Sequence, residues 1–401
     1  MCLVVFSEVA DIASKARPAN GVAVITDETV SALRVIFAEG YRADKVIEHT
    51  LRTHRAWPTR MRGEFVTAIR EAVRWWRWRW FCAGERDGTY LDDPSEEAIR
   101  RALAAAGREH PGGTPAIRAS FPDWLWERGA EEIGAAWPAM ADALNTEADL
   151  FLRANTLRTT ADDLRVKLRL EGFSSEPVPG APDALRLRGA KDVFGTMAFS
   201  EGLFEVQDVG SQQIAPLLEV QPGMRVVDAC AGAGGKSLHL AALMRNKGSI
   251  VALDPVEWRL TELRRRAARA GVDNIEARVL SDPKKLERLA GKADRVLLDV
   301  PCSGLGVLRR NPDVKWKLTK PELDHLCELQ ARLLRSYSRM VKPAGKLVYA
   351  TCSVLPSEGE RQVRSFLAAK PGWELETELK LSPGENGGDG FYAARLLRVP
   401  T

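Results

Sequence analysis

Cysteine is scarce in this sequence. Six occur in 401 residues, and no two stand in Cys-x-x-Cys spacing. That excludes a small disulfide-stapled scaffold and a paired-ligand zinc site, so no bound metal is expected. Long apolar runs are missing too. None approaches the roughly 20 residues that a bilayer-spanning helix needs, so no membrane contact is expected. The opening stretch, MCLVVFSEVADIASK, has no basic leader ahead of its short apolar run, which argues against a secretory signal. Free thiols without a signal or a span predict a cytoplasmic protein. There is no internal repeat and no long low-complexity tract, which removes solenoids and tails from consideration. A strong charge bias is also absent. The net charge is +4, but the first 145 residues are net −2 and the remainder net +6. Any polyanion contact is therefore expected in the C-terminal two thirds.

What is present divides into three regions. Residues 27–145 read as about five helices. In RGEFVTAIREAVRWWRWRWF, Phe65, Ile69, Ala72, Trp76 and Trp80 recur three or four apart on one helix face. Residues 1–26 are set off by RPANG and fit a loose extension. Residues 146–208 carry short strands around one amphipathic helix, ADDLRVKLRLEG, closed by Gly172, which predicts a small two-layer α/β unit. From residue 209 to 401, strand and helix patterns alternate, the signature of a doubly wound parallel sheet. The expected fold class is α/β, a Rossmann-like sheet preceded by a small α/β subdomain and an all-helical domain.

The first strand of that sheet runs into DACAGAGGKS, residues 228–237. A phosphate-cradling P-loop needs glycine at 230, where this chain has Cys230. A dinucleotide fingerprint needs glycine at 237, where it has Ser237. The turn therefore misses both patterns while keeping their strand–turn–helix context, in which ligands approach backbone amides at a helix start. Ligands in such sheets bind beyond the carboxyl ends of the strands. The strands end in Asp228, Asp254, Asp282, Asp299 and the dipeptide Thr351-Cys352, with Cys302 three residues beyond Asp299. Any one such aspartate is readily a helix cap. Four acids with two cysteines on one edge are not so explained. Cys82 and Cys327 sit in helical patterns and read as small hydrophobes. Cys302 and Cys352 are placed as nucleophiles, with thiol pKa values expected to be lowered by their position.

DACAGAGGKS, LLDVPCSGLGVLRRNPDVKW and LVYATCSVLPSEGE together resemble the motifs of the Sun/Fmu-type RNA 5-methylcytosine methyltransferases. The resemblance spans roughly residues 150–400 and extends, more weakly, to a NusB-like helical domain over 27–145. It implies an S-adenosyl-L-methionine-dependent RNA (cytosine-5-)-methyltransferase fold and activity. It assigns attack on the base to Cys352 and adduct breakdown to Cys302, with Asp299 near ring nitrogen 3 of the cytosine and beside the cofactor. It places Cys230, Ala231, Gly232, Ala233, Gly234, Gly235 and Lys236 around the cofactor's methionine and ribose, Asp254 on the ribose hydroxyls and Asp282 at the adenine edge. The family usually has proline at 233. Alanine there leaves φ unfixed, so a looser turn is expected.

The implied partner is RNA, with small-subunit rRNA favoured by the helical N-terminal domain, tRNA the runner-up, and a monomeric enzyme expected. The rival classes are a non-catalytic RNA-binding assembly factor and a nucleotide triphosphatase. Two segments invite RNA directly. LRRNPDVKWK interleaves Arg309, Arg310, Lys315 and Lys317 with Trp316, a pattern suited to phosphate contact and base stacking. RWWRWRW at 74–80 is read instead as core packing, with arginine stems covering tryptophans.

Overall fold

The computed structural model describes residues 27–400 apart from 93, 109, 190–192 and 281–286. The extension over 1–26 and the candidate Asp282 lie outside the described residues.

Helices Asp27–Phe37, Ala43–Thr53, Thr59–Arg74, Trp76–Cys82 and Glu96–Ala104 enclose one apolar core. The stripe read from the sequence is its spine: Phe65, Ile69, Ala72, Trp76 and Trp80 are all buried, and Phe37 stacks on Trp76 with ring centroids 4.3 Å apart. The long helix expected over 62–81 is broken at Trp75, whose φ of −107° and ψ of 25° leave the helical region. Two of the arginines of RWWRWRW, Arg74 and Arg77, are buried. Arg77, 2% exposed, bridges Asp87 and Asp123 and donates to the Phe121 carbonyl. A buried guanidinium persists only when its donors are paired, and here they are.

Four antiparallel strands follow, β1 (Leu150–Ala154), β2 (Ser174–Val178), β3 (Ala181–Arg188) and β4 (Phe204–Val206), in the order β2-β3-β1-β4. The helix Ala161–Leu170 buries Leu164 and Leu168 against them.

The large sheet has seven strands: β5 (Arg225–Asp228), β6 (Ser249–Asp254), β7 (Ile275–Val279), β8 (Ala293–Asp299), β9 (Val341–Thr351), β10 (Trp373–Leu381) and β11 (Phe391–Arg398). Their order is β10-β11-β9-β8-β5-β6-β7. Strands β5 to β9 are parallel, as expected, but β11 pairs antiparallel with both β9 and β10. The purely parallel sheet of the sequence reading is thus corrected to a mixed one. The closing hairpin alternates charged and apolar residues and needs no crossover helix, so it can add antiparallel strands at an edge. Chain order reverses between β8 and β5, which opens a crevice above the carboxyl ends of those two strands.

Candidate active site

The glycine turn occupies that crevice. Gly234 has φ +84°, and a Cβ there would lie 2.5 Å from Leu263 Cγ, so only glycine lets the helix Glu257–Ala270 pack against the turn. Gly232 has φ +54°, and a Cβ on it would project into open space. The turn therefore presents bare backbone at the strand ends. Asp254, at the end of β6, accepts from the Gly232 amide at 3.0 Å and the Val256 amide at 2.8 Å. It fixes the turn and also pairs with Arg259 at 3.6 Å. A ribose diol suits that carboxylate and an extended backbone suits the rest of a nucleoside ligand. Asp228 lies beneath the turn, 1% exposed, and accepts from the Ser237 hydroxyl at 2.6 Å. Burial raises its pKa to about 6, against the opposing Ser237 bond.

Lys236 leaves the first turn of the helix Gly235–Leu243 and donates to Asp299 Oδ2 at 2.6 Å. Burial disfavours its ammonium, but the Asp299 charge and hydrogen bond outweigh burial and the pKa is raised. Next to this pair the two expected cysteines meet: Cys302 Sγ and Cys352 Sγ are 3.3 Å apart. Cys352 does not have the lowered pKa expected from its position. The hydrogen bond to Cys302, then burial, then the charges of Cys302 and Asp299 push it well above the ordinary thiol range, and Lys236 only partly opposes them. The environment that was expected to ionise the thiol holds a carboxylate and a second thiol as well as a cation. Cys230 is raised too, by burial and then by Asp228, Asp299 and Asp254, which makes it a neutral lining group.

The structure brings Asp228, Cys230, the glycine turn, Lys236, Asp254, Asp299, Cys302 and Cys352 to one edge. It also supplies residues that sequence reading missed. Glu358, fully buried, accepts from the Ser303 amide at 2.8 Å, the Ser303 hydroxyl at 2.5 Å and Gln330 Nε2 at 2.9 Å. Gln330 also donates to the Pro301 carbonyl. Together they clamp the turn that carries Cys302. Glu358 stands six residues past Cys352 in a loop, where no periodicity marks it.

The basic loop after Cys302 is corrected in the opposite sense. Arg309 donates to the carbonyls of Gly387 and Gly388, and Arg310 pairs with Asp208 and Asp389. Lys315 is wholly buried against Arg74 O and Asn145 Oδ1, and Trp316 Nε1 donates to Val73 O. Lys317 bonds Asp313. These groups join the helical region to the sheet instead of facing RNA, because each has an internal acceptor within reach.

Residues 215–397 match the model of the 16S rRNA methyltransferase RsmB/F family, and residues 121–194 match its RsmF/B-like ferredoxin-like domain. The probable ribosomal RNA small subunit methyltransferase B of Synechocystis sp. is 35% identical over 300 residues, which are 70% of this chain and 67% of that protein. The chain belongs to the RsmB/F methyltransferase family. Ribosomal RNA small subunit methyltransferase B of Klebsiella pneumoniae is likewise 35% identical, over 75% of this chain and 70% of its own length. A solved methyltransferase homolog from Pyrococcus horikoshii superposes with a TM-score of 0.64 at 28% identity, covering 71% of this chain and 98% of that one. The ferredoxin-like match overlaps the small four-stranded sheet. The described residues contain no helix long and apolar enough to cross a membrane.

Proposed function

We propose that this protein methylates carbon 5 of a cytosine in small-subunit ribosomal RNA, using S-adenosyl-L-methionine, through a covalent cysteine–cytosine adduct. The observation that carries the reading is the 3.3 Å approach of Cys302 and Cys352 beside the Lys236–Asp299 pair, at the sheet edge that holds the glycine turn. The bare backbone at Gly232 and the carboxylate of Asp254 suit the cofactor, with Cys230 to Lys236 around it. When bound, S-adenosylmethionine supplies an electrophilic methyl group.

Carbon 5 of cytosine is a weak nucleophile, so the ring must be activated covalently. The Cys352 thiol loses its proton to solvent and its sulfur adds to carbon 6, and the electron pair of the ring double bond becomes available at carbon 5. Asp299 orients the ring at nitrogen 3 and holds Lys236 against the site. Once carbon 5 is alkylated, loss of its proton and cleavage of the sulfur–carbon 6 bond restore the aromatic ring, and Cys302 serves that breakdown. A base reaches this edge only when extruded from its stack. The helical region up to residue 145 and the small sheet of 146–208 are read as RNA-contacting, 209–401 as catalytic, and the enzyme as a cytoplasmic monomer.

The test uses small-subunit rRNA, tRNA and labelled S-adenosylmethionine. Cys352→Ala should abolish transfer to rRNA, and Cys302→Ala should accumulate a denaturation-resistant protein–RNA species. Trapping by Cys352→Ala alone would reverse the two roles. Transfer to tRNA and not to rRNA would replace the substrate, and no transfer to either by the unaltered protein would remove the enzyme reading.

A further inference from the structure

The glycine turn is held in part from outside its own domain. Arg266, on the helix Glu257–Ala270, donates through Nη1 to the carbonyl of Ala233 at 2.8 Å. Its Nε and Nη2 donate to Glu205 Oε2 at 3.1 and 2.8 Å. Glu205 belongs to β4 of the small sheet and is 5% exposed. Directly across from it, on β1, Arg153 donates to the Gly235 carbonyl at 2.8 Å and to Gln207 Oε1. Two carbonyls of the turn, on either side of Gly234, are therefore gripped by guanidinium groups fixed to the small sheet. Arg269 completes the cluster by pairing with Glu205 Oε1 at 2.5 Å, but its guanidinium bonds Glu205 and not the turn. Arg153 and Glu205 are both buried, where unpaired charges would be costly. A guanidinium fork matches two acceptors at once in a way an ammonium does not.

We propose that Arg266 and Arg153 are positioning residues for the cofactor turn, with the small sheet as the fixed body through which Glu205 holds Arg266. They supply from a neighbouring layer the restraint that Ala233 does not supply from its own backbone. This rests on reading the turn as the S-adenosylmethionine site. Restraint of the turn acts on cofactor capture and not on the chemistry at the cysteines, so its loss raises the cofactor KM and leaves kcat at saturation.

The test is calorimetric binding of S-adenosylhomocysteine to the full-length protein, with thermal melts alongside. Arg266→Lys keeps a charge for Glu205 but cannot span both acceptors. It should weaken binding about tenfold, the value of one charge-assisted hydrogen bond. Arg269→Met removes a bond to the same carboxylate without touching the turn, and should lower the melting temperature while leaving the affinity within about twofold of the unaltered protein. Arg153→Met removes the bond to the Gly235 carbonyl and should weaken binding to a similar extent. Equal affinities for the unaltered protein, Arg266→Lys and Arg153→Met would overturn the positioning role alone. So would equal weakening by Arg269→Met, which would reduce the cluster to general stability. Absence of binding by the unaltered protein would overturn the reading of the turn itself.

Discussion

Cys302 Sγ lies 3.3 Å from Cys352 Sγ, across two neighbouring parallel strands. A disulfide needs the sulfurs to close to about 2.05 Å, a short movement for a thiol on a turn. Diamide takes two electrons and two protons from a thiol pair and becomes the hydrazine. Treatment with diamide should therefore abolish methyl transfer, and dithiothreitol should restore it. Peptide mapping without reductant should find Cys302 joined to Cys352. Inactivation with both thiols still free to alkylate would show that the pair does not close.

The same proximity sets the ionisation of Cys352. The hydrogen bond to Cys302 is the largest cause of its raised pKa, with burial next and Asp299 behind, while Lys236 opposes them. The thiol is thus neutral at neutral pH, and its thiolate grows as pH rises. Alkylation of Cys352 by iodoacetamide, followed by mass spectrometry, should accelerate into the alkaline range. Cys302→Ala removes the leading cause and should move that profile to lower pH. Lys236→Met removes the opposing charge and should move it to higher pH. A profile unmoved by Cys302→Ala would mean that burial alone controls the thiol.

The contrast between these cysteines and the loop after them explains what the sequence could reveal. Cys302, Cys352, Asp254 and Asp299 were legible because strand ends are recognisable and parallel-sheet topology gathers them on one edge. Trp76 and Trp80 were legible through helical spacing. Arg309, Arg310 and Lys315 misled, because a basic side chain looks the same in sequence whether it meets phosphate or an internal carbonyl or carboxylate more than 70 residues away. Glu205, Arg266 and Glu358 were invisible for the same reason: their partners are set by tertiary packing, not by spacing. The closing hairpin escaped because β10, WELETELKL, is little buried, and its alternation of charged and apolar residues does not fix the direction in which it pairs.

Glu358 gives a prediction about the Cys302 turn. Three donors, the Ser303 amide, the Ser303 hydroxyl and Gln330, converge on its carboxylate. Glu358→Ala strands them in a dry interior, at a cost of about 3 kcal/mol in folding stability. Glu358→Gln keeps the shape but replaces one acceptor oxygen by a donor. It should fold, retain adduct formation by Cys352 and release product more slowly, because the turn bearing Cys302 is less firmly held. Single-turnover assays with denaturing gels separate the two steps. Release at the unaltered rate in a protein with a lowered melting temperature would limit Glu358 to stability.

Asp228 sets an opposition between the site and the fold. Its carboxyl has a pKa of about 6 in the folded chain, raised mainly by burial, against about 3.9 for an unperturbed aspartate. The folded state therefore holds this proton more tightly than the unfolded state. Its contribution to stability is fully present below about pH 4 and is lost as pH climbs through about 6. The loss amounts to roughly 3 kcal/mol at pH 8. Asp228→Asn leaves an oxygen to accept from Ser237 Oγ but no charge to bury. Denaturant unfolding should find the variant more stable than the unaltered protein at pH 8, with the advantage shrinking toward pH 4. Equal stability at both pH values would mean that the carboxylate is compensated by an interaction beyond the Ser237 bond. A gain at pH 8 accompanied by weaker S-adenosylhomocysteine binding would place the buried charge among the groups that hold the glycine turn for its ligand.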